Sequence, residues 1–237
     1  GTDLLVDNPN PRLQNPTGYN QINSLQKVRY KENESLEFQL GVYFSETSHF
    51  ARYDRLTRPD NAGTGFRSAV WEYGPQKWLM THFNISHTPE NTFYEGLKFT
   101  AAYQRFNESR FDRDFGALSL FGTEEKVDAL SFNLDIEHEK TGAFRLFYGA
   151  EFIGNKVYSK GSEEIVSSNI ILAAASRYPD NSLWRSSAVY LNSTFKASDN
   201  FKFLGGLRYS HVWVNASFDN EFYNFPFKKT DLSTGAF

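Results

Sequence analysis

Few residues of this chain are suited to catalysis by type, and their spacing does not help them. His138-Glu139 opens like a zinc-protease motif, but Gly142 stands where the second metal-binding histidine is needed. Ser86 precedes His87, and Ser210 precedes His211. On a strand, adjacent side chains point to opposite faces, so neither pair can join a nucleophile to its base. There is no G-x-S-x-G elbow, P-loop or dinucleotide fingerprint. Asp112-Arg113-Asp114-Phe115-Gly116 starts like a calcium loop, but too few oxygen ligands follow to reach the roughly six that calcium takes. With zero cysteines there is no thiolate site and no disulfide framework. The chain reads as a non-enzyme, with no cofactor or metal expected.

A different chemistry is carried by Arg52, Tyr53, Arg55, Trp71, Tyr73, Arg177 and Tyr178, which sit in or beside long polar excursions. Arginine pairs anions and stacks on rings, and Trp and Tyr offer flat binding faces. One reading is a vestibule for an anionic, aromatic ligand such as a catecholate chelate or haem. The simpler reading is packing within loops and an aromatic girdle, with anionic surface glycolipid beside the basic residues. Residue type alone leaves both open.

The elements that must position these residues are strands. Aromatics make up 17% of the chain, with 23 Phe and 13 Tyr against one Met, a bias that suits pleated, half-buried surfaces. Leu36, Phe38, Leu40, Val42 and Phe44 alternate with Glu37, Gln39, Gly41, Tyr43 and Ser45. The same period recurs near residues 79–86, 97–104, 130–137, 145–152, 189–196 and 201–213, with a weaker run at 21–30, which makes eight candidate strands. The mean hydropathy of −0.55 does not exclude a membrane protein, because only alternate residues of a barrel strand meet lipid. The longest uncharged apolar run, from Ile170 to Ala175, is far short of the roughly 20 residues of a membrane helix. A net charge of −3 and a pI near 6.0 leave no footprint for nucleic acid.

The connections alternate in length. Lys31-Glu32-Asn33-Glu34-Ser35, Thr88-Pro89-Glu90-Asn91-Thr92, Lys140-Thr141-Gly142 and Ser198-Asp199-Asn200 read as tight turns. Between them, residues 54–77, 107–123, 159–183 and 217 onward read as long loops. Short turns on one side and long loops on the other are the pattern of an outer-membrane barrel. With no water in the bilayer core, every backbone group must pair within a closed sheet. The expected fold is therefore an all-β, antiparallel transmembrane β-barrel segment of about eight strands, with Phe38, Leu40, Val42, Phe99, Phe132, Leu134 and Phe203 facing lipid. Residues 1–20 and 231–236 read as loop. No signal peptide opens the chain, and both ends read as lying on the extracellular side, as expected of a fragment cut from a larger wall.

Arg52-Tyr53-Asp54-Arg55-Leu56-Thr57 and Trp71-Glu72-Tyr73-Gly74-Pro75-Gln76-Lys77-Trp78 resemble the mid-barrel region of TonB-dependent outer-membrane receptors, particularly those of the Bacteroidetes. Leu25-Gln26-Lys27-Val28-Arg29-Tyr30, Ser176-Arg177-Tyr178-Pro179 and Phe222-Tyr223-Asn224-Phe225-Pro226-Phe227 agree with it. The resemblance spans nearly the whole chain but concerns the barrel wall alone. It implies a barrel of about 22 strands in the bacterial outer membrane, filled by a plug and worked by TonB through an N-terminal region. Residues 1–237 contain neither plug nor TonB segment. The implied function is energy-coupled uptake of a scarce, bulky nutrient such as a ferric siderophore, haem or cobalamin. The implied partners are outer-membrane lipids, TonB, that nutrient and a surface lipoprotein. The alternative from another class is a non-transporting barrel that scaffolds a secretion or surface-protein complex.

Overall fold

The structure, a computed structural model, describes residues 3–90, 93–141, 143–218, 221–223 and 225–237. Asn91 and Thr92 of one expected turn, Gly142 of another, and Asn224 lie outside the described residues. The strands are β1 (Gln21–Lys31), β2 (Leu36–Thr47), β3 (Phe50–Ala51), β4 (Ser68–Tyr73), β5 (Lys77–His87), β6 (Gly96–Asp114), β7 (Ser119–Thr141), β8 (Phe144–Ile165), β9 (Ile170–Ala174), β10 (Ser182–Lys196), β11 (Lys202–Ser217) and β12 (Lys229–Ala236), with one helical turn, α1 (Tyr53–Leu56). They form one antiparallel sheet in which β1, β2, β5, β6, β7, β8, β10, β11 and β12 follow one another as neighbours. Short strands join at the side of this path: β3 on β4, β4 on the far part of β6, and β9 on β8.

Register turns the alternation of each strand into one continuous face. Leu40 pairs with Phe83, Phe83 with Ala101, Ala101 with Phe132, and Phe132 with Phe152. The next rung runs Phe38, Ile85, Phe99, Leu134, Ala150, Val189 and Tyr209. A one-residue slip anywhere would send a strand's apolar set to the wrong side, and no slip interrupts these rungs. All seven residues expected to face lipid share this face. Glu37, Ser86, Lys98 and Asp135 pair in turn on the opposite one.

Among the described residues, the large side chains of the apolar face are left open. Val189 is 56% exposed and Leu40 47%, and among the described residues the buried hydrophobics are three alanines, Ala51, Ala102 and Ala188. A water-soluble sheet of this size would bury such side chains beneath a second layer. Here the inner strands are paired on both sides while the side chains stay open, which suits a hydrocarbon solvent. Among the described residues no helix is long and apolar enough to cross a membrane.

At the short end the connections are tight, as expected. Asn33 Oδ1 accepts from the amides of Ser35 and Leu36, each at 2.9 Å, and the Ala197 amide donates to Phe201 O at 3.0 Å. The long end corrects the sequence reading. Most of residues 107–123 and 159–183 are strand: β6 runs 19 residues, β7 23 and β8 22. Residues 115–118 alone link β6 to β7, with Gly116 at φ 77° supplying the left-handed turn. Residues 54–77 hold α1 and β4 rather than one open loop, and 229–236, read as loop, form β12 against β11. Beyond the bilayer both faces are wet, so backbone pairing continues where hydropathy stops alternating.

Candidate functional site

The aromatic and basic residues gather at the long end, on the polar face. β3 pairs with β4 at Phe50–Tyr73 and Ala51–Glu72, and the Arg52 amide donates to Trp71 O at 3.0 Å. This places Arg52 at the mouth of α1, where its guanidinium grips Asp54 through two bonds of 2.7 and 2.8 Å. That contact holds the Asp54 carboxyl below the usual carboxylate range. Trp71 meets Tyr73 edge to face at 5.2 Å, and Tyr73 meets Phe50 at 5.5 Å.

Three guanidiniums crowd the Trp71 ring: Arg55 at 5.3 Å, Arg52 at 5.5 Å and Arg110 at 5.7 Å from its centroid. Arg110 comes from β6, where it pairs directly with Tyr73. The Nε atoms of Arg55 and Arg110 are buried without a hydrogen-bond partner. Tyr53 opens α1 and accepts the amide and hydroxyl of Thr57 on its carbonyl, both at 2.9 Å.

Arg177 and Tyr178 form a second group on the same face. Arg177 reaches Glu108 at 3.3 Å and lies 5.5 Å from the Tyr178 ring. Ser159, 1% exposed, accepts the Tyr178 amide at 3.2 Å, donates to Glu125 Oε1 at 3.3 Å, and gives its own amide to Asp180 at 3.0 Å. Glu108 and Arg110 sit two residues apart on β6, so this strand joins the two groups into one strip. Four arginines (52, 55, 110 and 177) are offset by Asp54, Asp112, Glu108, Glu125 and Asp180, so the strip carries no excess of positive charge. It can hold a flat, polar ligand by stacking and directed hydrogen bonds rather than by a strong field.

Of the residues singled out in the sequence, Arg52, Arg55, Trp71 and Tyr73 come together, Tyr53 stands beside them in α1, and Arg177 and Tyr178 lie one patch away. Glu108, Arg110, Glu125 and Ser159 were not foreseen, because their place depends on cross-strand register. The catalytic temptations disperse. His87 hydrogen-bonds Tyr94 at 2.8 Å on the apolar face, while Ser86 is on the other. Among the described residues no group of three or more His, Cys, Asp or Glu side chains is placed to hold a metal ion.

No protein-family model matches the sequence, and no curated protein matches it. Solved structures do. The copper transporter OprC matches 93% of this chain with a TM-score of 0.69 at 11% identity. The fold is that of a TonB-dependent receptor barrel. The ferric citrate transporter FecA, in its unliganded form, matches 94% of the chain at TM-score 0.68 and 11% identity, and the ferric yersiniabactin uptake receptor FyuA from Yersinia pestis 91% at 0.60 and 12%. The chain covers 34%, 33% and 34% of these three proteins respectively, so it spans about a third of their length. In that fold the wall crosses a bacterial outer membrane, the apolar face meets lipid and the polar face turns to the lumen. The strip around Trp71 is on the polar face, at the end with the long connections. The matched proteins are transporters and receptors, not enzymes.

Proposed function

We propose that residues 1–237 are a wall segment of an outer-membrane receptor that takes up a scarce, bulky nutrient by energy-coupled transport. The observation that carries this reading is the unbroken outward apolar face joined to long extramembrane hairpins, in a fold shared with named transporters of copper and ferric chelates. The whole barrel would then have about 22 strands and enclose a plug, and TonB would act through a region outside this chain. The nutrient class is a ferric siderophore, haem or cobalamin. Outer-membrane lipid covers the apolar face, and a surface lipoprotein is a further candidate partner at the long end.

In this reading Arg52, Tyr53, Arg55, Trp71, Tyr73, Arg177 and Tyr178 line the vestibule that first meets the nutrient. Trp, Tyr and Arg dominate binding hot spots because each joins a large contact area to a directional polar group. The test is direct binding of ferric citrate, a ferric catecholate, haem and cobalamin to the intact parent, with surface abundance measured in parallel. One of the four is expected to bind, and Trp71→Ala with Tyr73→Ala to weaken it about tenfold, the scale of one to two kcal/mol at a hot spot. Unchanged binding at unchanged abundance would return these residues to loop packing. An intact parent without plug or TonB-contacting segment, supporting growth on none of the four, would favour the scaffold.

A further inference from the structure

The lipid-facing side carries a site of its own on β8. Gly154 lies on that side, between Leu130 of β7 and Arg185 of β10, which are its direct cross-strand neighbours. The missing side chain leaves a groove of about 230 Å³, floored by Leu130, Phe152 and Leu183 and rimmed by Asp128, Lys156 and Arg185. Nothing in the backbone requires glycine there. A Cβ at Gly154 would meet only the Phe152 ring, at 3.4 and 3.5 Å, which is ordinary contact. At Gly41, Gly149 and Gly206 a Cβ would strike a neighbour at 2.1 to 2.2 Å. A glycine inside a strand without such a need marks a place where something else comes close.

The rim is cationic. Asp128 is engaged by Arg105 and Tyr103, both at 2.6 Å, and lies 3.7 Å from Lys126. Lys156 and Arg185 have no carboxylate partner among the described residues, and Lys126 and Lys156 both lie 4.5 Å from the Tyr158 ring. Arg105, Lys126, Lys156 and Arg185 thus face one carboxylate, and the next rung outward, Glu124 and Lys160, is neutral. The groove sits where the apolar face gives way to charge, at the end bearing the long connections. In a receptor barrel that is the level of outer-leaflet headgroups.

We infer that this groove binds a phosphorylated glycolipid of the outer leaflet. One acyl chain lies over Gly154 against Leu130, Phe152 and Leu183, and a phosphate is clamped between Lys156 and Arg185. A planar guanidinium and a compact ammonium on adjacent strands suit a phosphate better than a neutral headgroup. The inference rests on the proposed membrane reading, which is tested separately by the face-swapping variants of Leu134 and Asn133 below.

The experiment uses the intact parent, purified in mild detergent and stripped of lipid. Native mass spectrometry then reads its binding of bis-phosphorylated lipid A, the dephosphorylated form, and phosphatidylglycerol. The expected result is a defined one-to-one adduct with phosphorylated lipid A, weakened at least fivefold by Lys156→Gln with Arg185→Gln. Gly154→Val, which fills the groove and keeps the charges, should weaken it comparably. Lys98→Gln on the lumen side should leave it unchanged, and heat-modifiable electrophoretic mobility confirms that each variant is assembled. Wild-type adducts in both groove variants would overturn the site. Equal binding of the dephosphorylated form would overturn the phosphate clamp, and equal binding of phosphatidylglycerol the glycolipid assignment.

Discussion

The Tyr190 hydroxyl donates to the Asp135 carboxylate across the bare backbone of Gly149. The three residues are register partners on β7, β8 and β10, so the Tyr190 ring lies over the glycine between them. A Cβ at Gly149 would sit 2.2 Å from Leu134 O and 2.5 Å from that hydroxyl. Gly149→Ala is therefore expected to destabilise the sheet by about 1–3 kcal/mol, the usual cost of overpacking. Gly205→Ala, with nothing within 4 Å, is the matched control. Denaturant unfolding of the assembled parent reads the difference, and equal midpoints would refute the packing argument.

The two faces are tested by charge. Leu134 lies on the lipid-facing rungs and Asn133 on the lumen side. Arginine at a barrel's lipid-facing midplane costs about 2–4 kcal/mol and much less in the lumen. Leu134→Arg should reduce outer-membrane assembly well below Asn133→Arg. Equal tolerance would mean the faces are reversed or the sheet is not embedded.

Ser159 and Glu108 both hold the segment that carries Arg177 and Tyr178, but with different strength. The Glu108–Arg177 pair is half exposed, and such pairs contribute about 0.2–1 kcal/mol. Ser159→Ala removes the buried acceptor of the Tyr178 amide and the donor to Glu125, which costs about 1–3 kcal/mol. Hydrogen exchange at the Tyr178 amide should therefore accelerate more in Ser159→Ala than in Glu108→Gln. The opposite order would place the anchor of this segment at the ion pair.

Asp3 is clasped by Arg113 at 2.8 and 2.6 Å and by the Gly116 amide at 2.7 Å. These bonds hold its carboxyl down at about 2, against an ordinary 3.8. A carboxyl depressed in the folded state contributes fully above its ordinary value and loses the contribution as pH falls through the depressed one. Protease protection of the first residues should therefore persist at pH 4 and be lost towards pH 2. Asp3→Asn should remove that pH dependence, and a transition nearer neutrality would point to another group.

How far the fold was legible depends on the solvent around each stretch. At Leu36–Thr47 or around Phe132 and Leu134 the bilayer demands strict alternation, and the strands are plain in the sequence. In Phe106–Asp114 and Lys156–Ile165 neither face has to be apolar, so Glu, Ser, Lys and Arg interrupt the alternation while the ladder continues. β12 is hidden for the same reason, being held by its pairing with β11. The candidate site divides similarly. Trp71, Tyr73 and Arg52 stand out by residue type, whereas Arg110 matters only because it pairs with Tyr73 from a distant part of the chain.

The reach of β7 has a consequence for how this surface can vary. At about 3.3 Å per residue, its 23 residues span roughly 75 Å, more than twice what a bilayer core requires. The part beyond the lipid is held by main-chain pairing, which does not depend on which side chains it carries. Mutation can therefore redraw this surface residue by residue, while the sheet beneath keeps its shape.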